Sequence, residues 1–153
     1  MEDVGWASSA AARTIMQGNR SRDTRPELAV RRAVHRLGLR YRVAHRPLQN
    51  LRRSADLVFP RVKVAVFVDG CFWHGCPEHY RAPASHADFW RDKLAANRAR
   101  DHETTELLRL QNWVALRFWT HEDPFLIAEE IRCVVEQRRR ALADHHAPSA
   151  KGS

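Results

Sequence analysis

The first apolar stretch of the chain repeats with the period of an amphipathic helix. Thr24-Arg25-Pro26-Glu27 is a capping box, with threonine before the first helical residue and proline in the first turn. Apolar residues then recur at helical spacing at Leu28, Val30, Ala33, Val34 and Leu37. Gly38 follows, and glycine is the residue that most often ends a helix. The pattern predicts a helix over residues 24–37.

Three shorter stretches with the patterns of strands come next. Residues 39–43 alternate between apolar and polar side chains, and residues 55–59 form an apolar run that ends before Pro60. Residues 63–68 are apolar through their centre, as expected for a strand that is covered on both faces. We expect these three strands to pair as an antiparallel meander.

The second half of the chain alternates between helix and strand patterns. A long helix is predicted from about Ser85 to Gln111, a fourth strand over 113–119 and a last helix over 124–140. The helical crossover allows the fourth strand to join the sheet. The order predicts one α/β domain over residues 21–140, preceded by a flexible arm (1–20) and followed by a disordered tail (141–153).

Composition narrows the class of protein. The chain has 153 residues, of which 44% are hydrophobic, so one folded domain with a real core is expected. No apolar run reaches the length of about 18 residues that a membrane helix needs, and the N-terminus lacks the pattern of a signal peptide. We therefore expect a cytoplasmic protein without a membrane partner. The three cysteines favour metal binding over disulfides in that compartment.

Positive charge is concentrated in the first third of the chain. Residues 1–60 contain 12 arginines and 5 acidic residues, a net charge of +7 out of the total of +8. The planar guanidinium group matches phosphate oxygens better than the ammonium group of lysine. Coding bias towards arginine explains part of the excess, but it does not explain its position. The distribution predicts a nucleic-acid-binding protein.

One loop carries the strongest signal for a metal. Cys71, Cys76 and His79 have the short spacing that lets one segment wrap a tetrahedral zinc ion. A fourth ligand must come from elsewhere, and His121, just after the fourth strand, is the candidate. Two alternatives remain: the loop residues are ordinary buried thiols and a loop histidine, or His74 ligates zinc in place of Cys76 or His79.

Carboxylates near two strand ends are the candidates for a second, harder metal. Asp56 lies at the start of an apolar strand, where it is either a Mg²⁺ ligand or a strand-end cap. Asp69 ends the third strand, so pairing of the two strands would bring Asp56 close to Val68 and Asp69, and the Val68 carbonyl would supply an oxygen. Glu27 is a capping-box residue that can also reach this site through water.

A histidine and three aromatic residues complete the candidate site. His74 is the candidate general base, because an imidazole takes a proton from water at neutral pH. Phe72 and Trp73 adjoin a zinc ligand and are suited to wedging between base pairs. Trp90 shares a stripe of the long helix with Asn97. Core packing is the alternative for Trp90.

Several segments, in order along the chain, resemble the very-short-patch-repair (Vsr) DNA mismatch endonucleases. They are Ser21–Glu27, Ala55–Val58, Val66–His79, Asp88–Trp90, Lys93–Asp101 and Trp113–His121. The most specific is the FWHGCP block at residues 72–77. The resemblance implies a three-layer α/β fold of the restriction-endonuclease (PD-(D/E)XK) type, with a mixed central sheet and a structural zinc loop.

The same resemblance implies the activity and the roles of the site residues. The enzyme would be a monomer that nicks double-stranded DNA beside the T of a T:G mismatch left by 5-methylcytosine deamination. Mismatch-repair proteins are its candidate partners. Asp56 and Val68 would bind Mg²⁺, His74 would activate water, and Glu27 would assist from the outer shell. The ligands of Zn²⁺ would be Cys71, Cys76, His79 and His121. The residues that would intercalate are Phe72, Trp73 and Trp90, and those that would contact DNA are Met16, Arg22 and Asn97.

The chain departs from the family at one catalytic position. Some members carry Thr-His where this chain has Val68-Asp69, so a second histidine is missing. Either Asp69 replaces it as a second carboxylate near the metal, or the reaction proceeds without it. Two other functions fit the same residues: a restriction-like or general repair nuclease of the same fold, and a zinc-knuckle module that binds DNA without cutting it.

Overall fold

A computed structural model of the protein describes residues 25–70, 76, 78 and 84–146. The first helix, α1, spans Arg25–Arg36 and buries Val30, Ala33 and Val34, the apolar face that the sequence predicts. It ends where glycine is needed: Gly38 has a φ of +80°, and its N–H donates to the His35 carbonyl at 2.9 Å. The predicted N-cap, Thr24, lies outside the described residues.

The sheet contains four strands, β1 (Arg42–His45), β2 (Ala55–Phe59), β3 (Val64–Asp69) and β4 (Val114–Trp119). They lie in the order β1-β2-β3-β4, antiparallel at the first two pairings and parallel at the third. The predicted meander with a crossover to the fourth strand is therefore confirmed, and so is the prediction of a mixed sheet.

The first strand begins later than predicted. Leu39 is buried in the core, and the Tyr41 hydroxyl donates to the Arg31 carbonyl of α1 at 2.8 Å. These contacts hold the segment against α1, so pairing with β2 starts only at Arg42. The alternation that predicted a strand over 39–43 reflects packing on a helix instead.

Two long helices complete the domain: α2 spans Ala87–Leu110 and α3 spans Pro124–His146. The predicted disordered tail is wrong for residues 141–146, which continue α3. Alanine and leucine favour the helix there, and Leu142 packs against the core. Among the residues described, no helix combines the length and apolar character needed to cross a bilayer.

The helices cover the sheet on both faces. Leu57, Val64 and Val66 pack with α1 and α3, whereas Val58 and Ala65 face the other way, with Leu108 of α2. Every β3 residue before Asp69 is buried, which explains its continuous apolar pattern. The result is a three-layer α/β arrangement in which the ends of β2 and β3 meet at one edge of the core.

Candidate active site

Asp56 lies where the pairing between β2 and β3 ends. The paired residues of these strands run from Phe59 and Val64 to Leu57 and Val66. Beyond them, the Val68 N–H donates to Asp56 Oδ2 at 2.7 Å. A side-chain carboxylate therefore takes the place that a strand carbonyl would hold. The predicted approach of Asp56 to the end of β3 is confirmed.

The Val68 carbonyl faces the same side of β3 as its N–H. Backbone groups point alternately to the two edges of a strand, and both groups of one residue point to the same edge. The Asp69 carbonyl accepts a hydrogen bond from the Thr120 N–H at 3.0 Å, on the β4 side. The Val68 carbonyl is consequently directed towards β2 and Asp56. Two oxygen donors, one side chain and one backbone, share this edge.

The environment of Asp56 opposes ionisation. The pKa of Asp56 is raised from 3.8 to about 6 as the net of several effects. Burial is the largest and raises the pKa, the hydrogen bond from Val68 lowers it, the negative charges of Glu27 and Asp69 raise it, and the positive charge of Arg31 lowers it. The balance leaves an ionised carboxylate that its surroundings stabilise poorly. A bound cation would offset this deficit. The hydrogen bond from the Val68 N–H is itself the strand-end cap of the alternative interpretation, so Asp56 caps the end of β3 in this structure, and its charge is also compatible with binding a cation.

Glu27 reaches the neighbourhood of Asp56 from the first turn of α1. Glu27 forms an ion pair with Arg31, one helical turn further along α1, in which Glu27 Oε2 lies 3.5 Å from Arg31 Nη2. Both side chains are mostly buried. The pair places one negative and one positive charge within the field of Asp56. Glu27 thus influences the site from the helix layer, as an outer-shell role requires.

Asp69 is held by an arginine that the sequence reading did not identify. Arg117 Nη1 lies 3.1 Å from Asp69 Oδ1 and 3.2 Å from Oδ2, and 3.5 Å from Asp101 Oδ1 on α2. Its Nε donates to Thr105 Oγ1 at 3.2 Å, and its guanidinium carbon lies 4.2 Å from the centre of the Phe67 ring. Arg117 therefore ties the end of β3 to α2.

The sequence contains one indication that Arg117 has an acidic partner. Arg117 is a charged residue inside the apolar run of β4, and its side chain is only 23% exposed. Such a residue needs a buried acidic partner. The partner became visible only through the parallel register, which sets Arg117 opposite Phe67 and two residues before the Trp119–Asp69 pair.

The described residues do not form a complete cluster of metal ligands. Within 25–70, 76, 78 and 84–146, no three His, Cys, Asp or Glu side chains converge closely enough to hold an ion. Asp56 is the carboxylate at the strand ends, Asp69 is engaged by Arg117, and Glu27 by Arg31. Within the described residues, a metal here would be held by Asp56 and the Val68 carbonyl.

Two of the predicted zinc ligands come together from distant parts of the chain. Cys76 is 1% exposed, and its Sγ lies 3.5 Å from His121 Nδ1. Two ligands of a tetrahedral zinc ion, with Zn–S near 2.3 Å and Zn–N near 2.1 Å, are about 3.6 Å apart. His121 Nε2 lies 3.5 Å from Glu78 Oε2, the carboxylate partner that zinc-bound histidines commonly have.

The turn after β4 fixes the position of His121. The Trp119 N–H donates to Glu122 Oε2 at 2.6 Å, and the Glu122 N–H returns a bond to the Trp119 carbonyl at 3.0 Å. His121 belongs to this turn, and its Nδ1 faces Cys76 Sγ. The Cys76–His121 pair has the separation expected of two ligands on one zinc ion.

The aromatic residues of α2 differ from one another in exposure. Trp90 is 4% exposed and makes an edge-to-face contact with Phe89, whose ring centre lies 5.2 Å away. Phe89 is 38% exposed. In this structure Trp90 is packed, as the core-packing alternative expected, so intercalation would require its ring to move. Asn97, two turns further along the same stripe of α2, is half-buried.

Several predicted site residues lie outside the described residues. They are Met16 and Arg22 in the N-terminal part, and Cys71, Phe72, Trp73, His74 and His79 in the loop after β3. Their predicted roles stay predictions.

Comparison with known proteins identifies relatives of this chain. Residues 7–80 match the family model described as DNA mismatch endonuclease Vsr. The chain is 44% identical over 110 residues to the type II nicking enzyme V.NaeI of Lentzea aerocolonigenes, an alignment covering 71% of this chain and 66% of that protein. It is 38% identical over 131 residues to V.NmeDIP of Neisseria meningitidis serogroup C, covering 84% of each. It is 29% identical over 105 residues to the DNA mismatch endonuclease Vsr of Escherichia coli K12, covering 68% of this chain and 65% of that protein.

Proposed function

Because this chain belongs to the Vsr family of DNA endonucleases, we propose that it nicks one strand of duplex DNA beside the T of a T:G mismatch, with Mg²⁺ as cofactor. The observation that carries the proposal is the Asp56 carboxylate between the ends of β2 and β3, bonded to the Val68 N–H at 2.7 Å. Burial and the neighbouring negative charges oppose the ionised form of this carboxylate, and a bound cation would offset that cost.

Asp56 and the Val68 carbonyl would hold the magnesium ion. Both donors are oxygen atoms, which Mg²⁺ prefers, and two protein donors leave room for water and phosphate oxygens. When bound, Mg²⁺ supplies positive charge that stabilises the phosphate as negative charge builds on it. Asp56 fixes this point relative to β3 through its hydrogen bond to Val68. Glu27 orients water from α1 without contacting the metal.

His74 is proposed as the base that takes a proton from the attacking water. Asp69 is the other candidate near the strand ends, but Arg117 lies within 3.2 Å of both its carboxylate oxygens. A carboxylate paired in this way is a weak base. We therefore assign Asp69 to positioning the end of β3 and the proton transfer to the imidazole of His74.

Cys71, Cys76, His79 and His121 are proposed as the ligands of a structural zinc ion. The support is the 3.5 Å separation of Cys76 Sγ and His121 Nδ1, with Glu78 behind the histidine. When bound, Zn²⁺ links the loop after β3 to the turn after β4 and so contributes to folding free energy.

Recognition of the mismatch is proposed to depend on the aromatic residues. Phe72 and Trp73 would wedge between base pairs from the zinc loop, and Trp90 would add to the wedge after moving from its packed position. Met16, Arg22 and Asn97 would contact the DNA around them. The fold supporting these contacts is proposed to be of the PD-(D/E)XK type, the enzyme to act as a monomer, and mismatch-repair proteins to be its partners.

The relatives favour a nick over a double-strand cut. Three relatives that are 38–44% identical to this chain are named type II nicking enzymes, and a further relative is named a DNA mismatch endonuclease. A restriction-like cut on both strands is the alternative for this site. A DNA-binding module without activity is disfavoured, because the relatives carry the names of enzymes that cleave DNA, nicking enzyme and endonuclease.

The test is strand-specific cleavage of labelled duplexes. Each strand of a T:G duplex and of the matched T:A duplex is labelled, and products are separated with and without Mg²⁺. We expect one nick, on the T strand of the mismatch, and none with Asp56→Ala. Cleavage of both strands of the matched duplex would establish the restriction-like alternative. Binding without any cleavage, equal in wild type and Asp56→Ala, would overturn the proposal.

The aromatic wedge has a separate test. Trp73→Ala should reduce the preference for T:G over matched DNA more than it reduces overall affinity, because phosphate contacts supply most of the latter. Equal loss on both duplexes would show that Trp73 is a core residue.

A further inference from the structure

A basic surface lies away from the candidate active site. It is a groove of about 780 Å³, here called the arginine groove, formed between the start of β1, the turn after β2 and the end of α3. Its rim carries four arginines and its floor is apolar; these residues are Arg40, Arg42, Arg61, Arg139, Phe59 and Val62. Among the described residues, no acidic side chain lines it.

The four arginines are available to a ligand. All four are exposed, and within the described part of the chain none forms an ion pair with a carboxylate. Other arginines on the helices are neutralised locally: Arg109 pairs with Glu106 at 3.1 Å, and Arg132 pairs with Glu129 one turn away. Like charges gathered around one groove repel one another unless an anion joins them. The groove is therefore complementary to a polyanion.

The groove is also held in shape by its surroundings. Arg138 of α3 donates from Nε to the Val62 carbonyl at 2.9 Å and from Nη2 to the Asn112 carbonyl at 2.7 Å. These bonds join α3 to the turn after β2 and to the start of β4. On the other wall, the ring of Tyr41 packs edge-to-face on Phe59 at 6.1 Å, and its hydroxyl is bonded to the Arg31 carbonyl. The arginines thus project from braced walls.

Its position separates the groove from the site of cleavage. Asp56 lies at one end of β2 and Phe59 at the other, about 10 Å apart along the strand, and Arg61 follows in the turn beyond. The groove is bordered by α3, whereas the Asp69–Arg117 pair is joined to α2 in the opposite layer. A ligand in the groove is therefore separate from the phosphate that is cut.

We propose that the arginine groove binds the phosphodiester backbone of a second segment of duplex DNA while another segment occupies the active site. Arginine alone supplies the charge, and its guanidinium fork matches phosphate oxygens. The inference rests on the proposed function for the identity of the polyanion, because an enzyme that acts on DNA meets this one at high local concentration. An acidic protein segment would be the competing occupant.

The experiment compares two charge-matched variants of the full chain. Arg61→Gln/Arg139→Gln removes one arginine from each side of the groove. Arg109→Gln/Arg132→Gln removes the same charge from sites with carboxylate partners. Binding of a fully matched duplex of about 12 base pairs, about 40 Å long, is measured by calorimetry without Mg²⁺ over a range of salt concentrations. Thermal unfolding confirms that each variant is folded.

Wild type and the Arg109/Arg132 variant should bind a second duplex at excess DNA. The Arg61/Arg139 variant should lose that second binding step or weaken it by about tenfold or more. The slope of the logarithm of its binding constant against the logarithm of the salt concentration should become less steep by about 1.8, for two lost phosphate contacts. Equal binding by both variants would overturn the proposal. Unchanged DNA binding with loss of polyglutamate binding would assign the groove to an acidic protein instead. Nicking of T:G duplex by wild type is scored separately, so its absence would count against the proposed function and not against the groove.

Discussion

Replacing Asp56 by asparagine should stabilise the protein while removing the carboxylate to which we assign Mg²⁺ binding. Asparagine has nearly the same shape, and its amide oxygen can still accept the Val68 N–H. What disappears is a negative charge that burial and the charges of Glu27 and Asp69 oppose. We therefore expect a variant that unfolds less readily and does not nick DNA.

The magnitude follows from the pKa. Folding raises the pKa of Asp56 from 3.8 to about 6, a difference of about 2 units, or about 3 kcal/mol. Since the folded pKa is the higher one, the unfolded chain releases the proton first, and wild type loses stability as pH rises from about 4 to about 6. The weaker hydrogen bond to a neutral amide reduces the expected gain to about 2 kcal/mol. That corresponds to about 4–8 °C in Tm.

The assay is urea unfolding of wild type and Asp56→Asn from pH 4 to pH 8, with no Mg²⁺ present. The advantage of the variant should be small at pH 4, grow through pH 6 and stay constant above it. Asp92→Asn, whose side chain is 81% exposed, is the control and should change stability little at any pH. Added Mg²⁺ should stabilise wild type and not Asp56→Asn. An advantage that does not vary with pH, or a less stable variant at pH 8, would refute the reasoning.

Three further predictions concern the other parts of the site. Cys76→Ser should lose bound zinc and several kcal/mol of stability, whereas the control Cys133→Ser, which changes an exposed thiol, should keep both. Zinc content is measured by atomic absorption, and stoichiometric zinc in Cys76→Ser would exclude Cys76 as a ligand. Arg117→Met should destabilise by about 2 kcal/mol in chemical denaturation, because the Asp69 side chain is only 13% exposed, and adding Asp69→Asn should recover much of that loss; additive effects would contradict the pairing. At low Mg²⁺ concentration the nicking rate should rise with pH around a midpoint near 6, the pKa of Asp56. The midpoint should shift to lower pH as the Mg²⁺ concentration is raised. A midpoint that does not depend on Mg²⁺ would mean that another group controls the rise of the rate with pH.

The local pattern predicted most of the architecture because secondary structure follows short-range periods. The helical spacing from Leu28 to Leu37, the apolar run of β3 and the glycine at 38 each act within a few residues. The approach of Asp56 to Val68 was also predictable, since it follows from pairing two adjacent strands. The end of α3 was missed because Leu142 gains its helix-stabilising contacts from the core and not from its neighbours in sequence.

Other features required the tertiary structure. Arg117 and Asp69 meet only because β4 is parallel to β3 in one register, and Cys76 meets His121 across 45 positions in the sequence. The burial of Trp90 depends on how α2 lies, and the arginine groove gathers side chains from a strand, a turn and a distant helix. By itself the amino-acid order determined which segments are helices and strands and which residue types are available for chemistry. Long-range packing decided which charges, ligands and rings are neighbours, because the energy of each such contact depends on a separation in space that no local period contains.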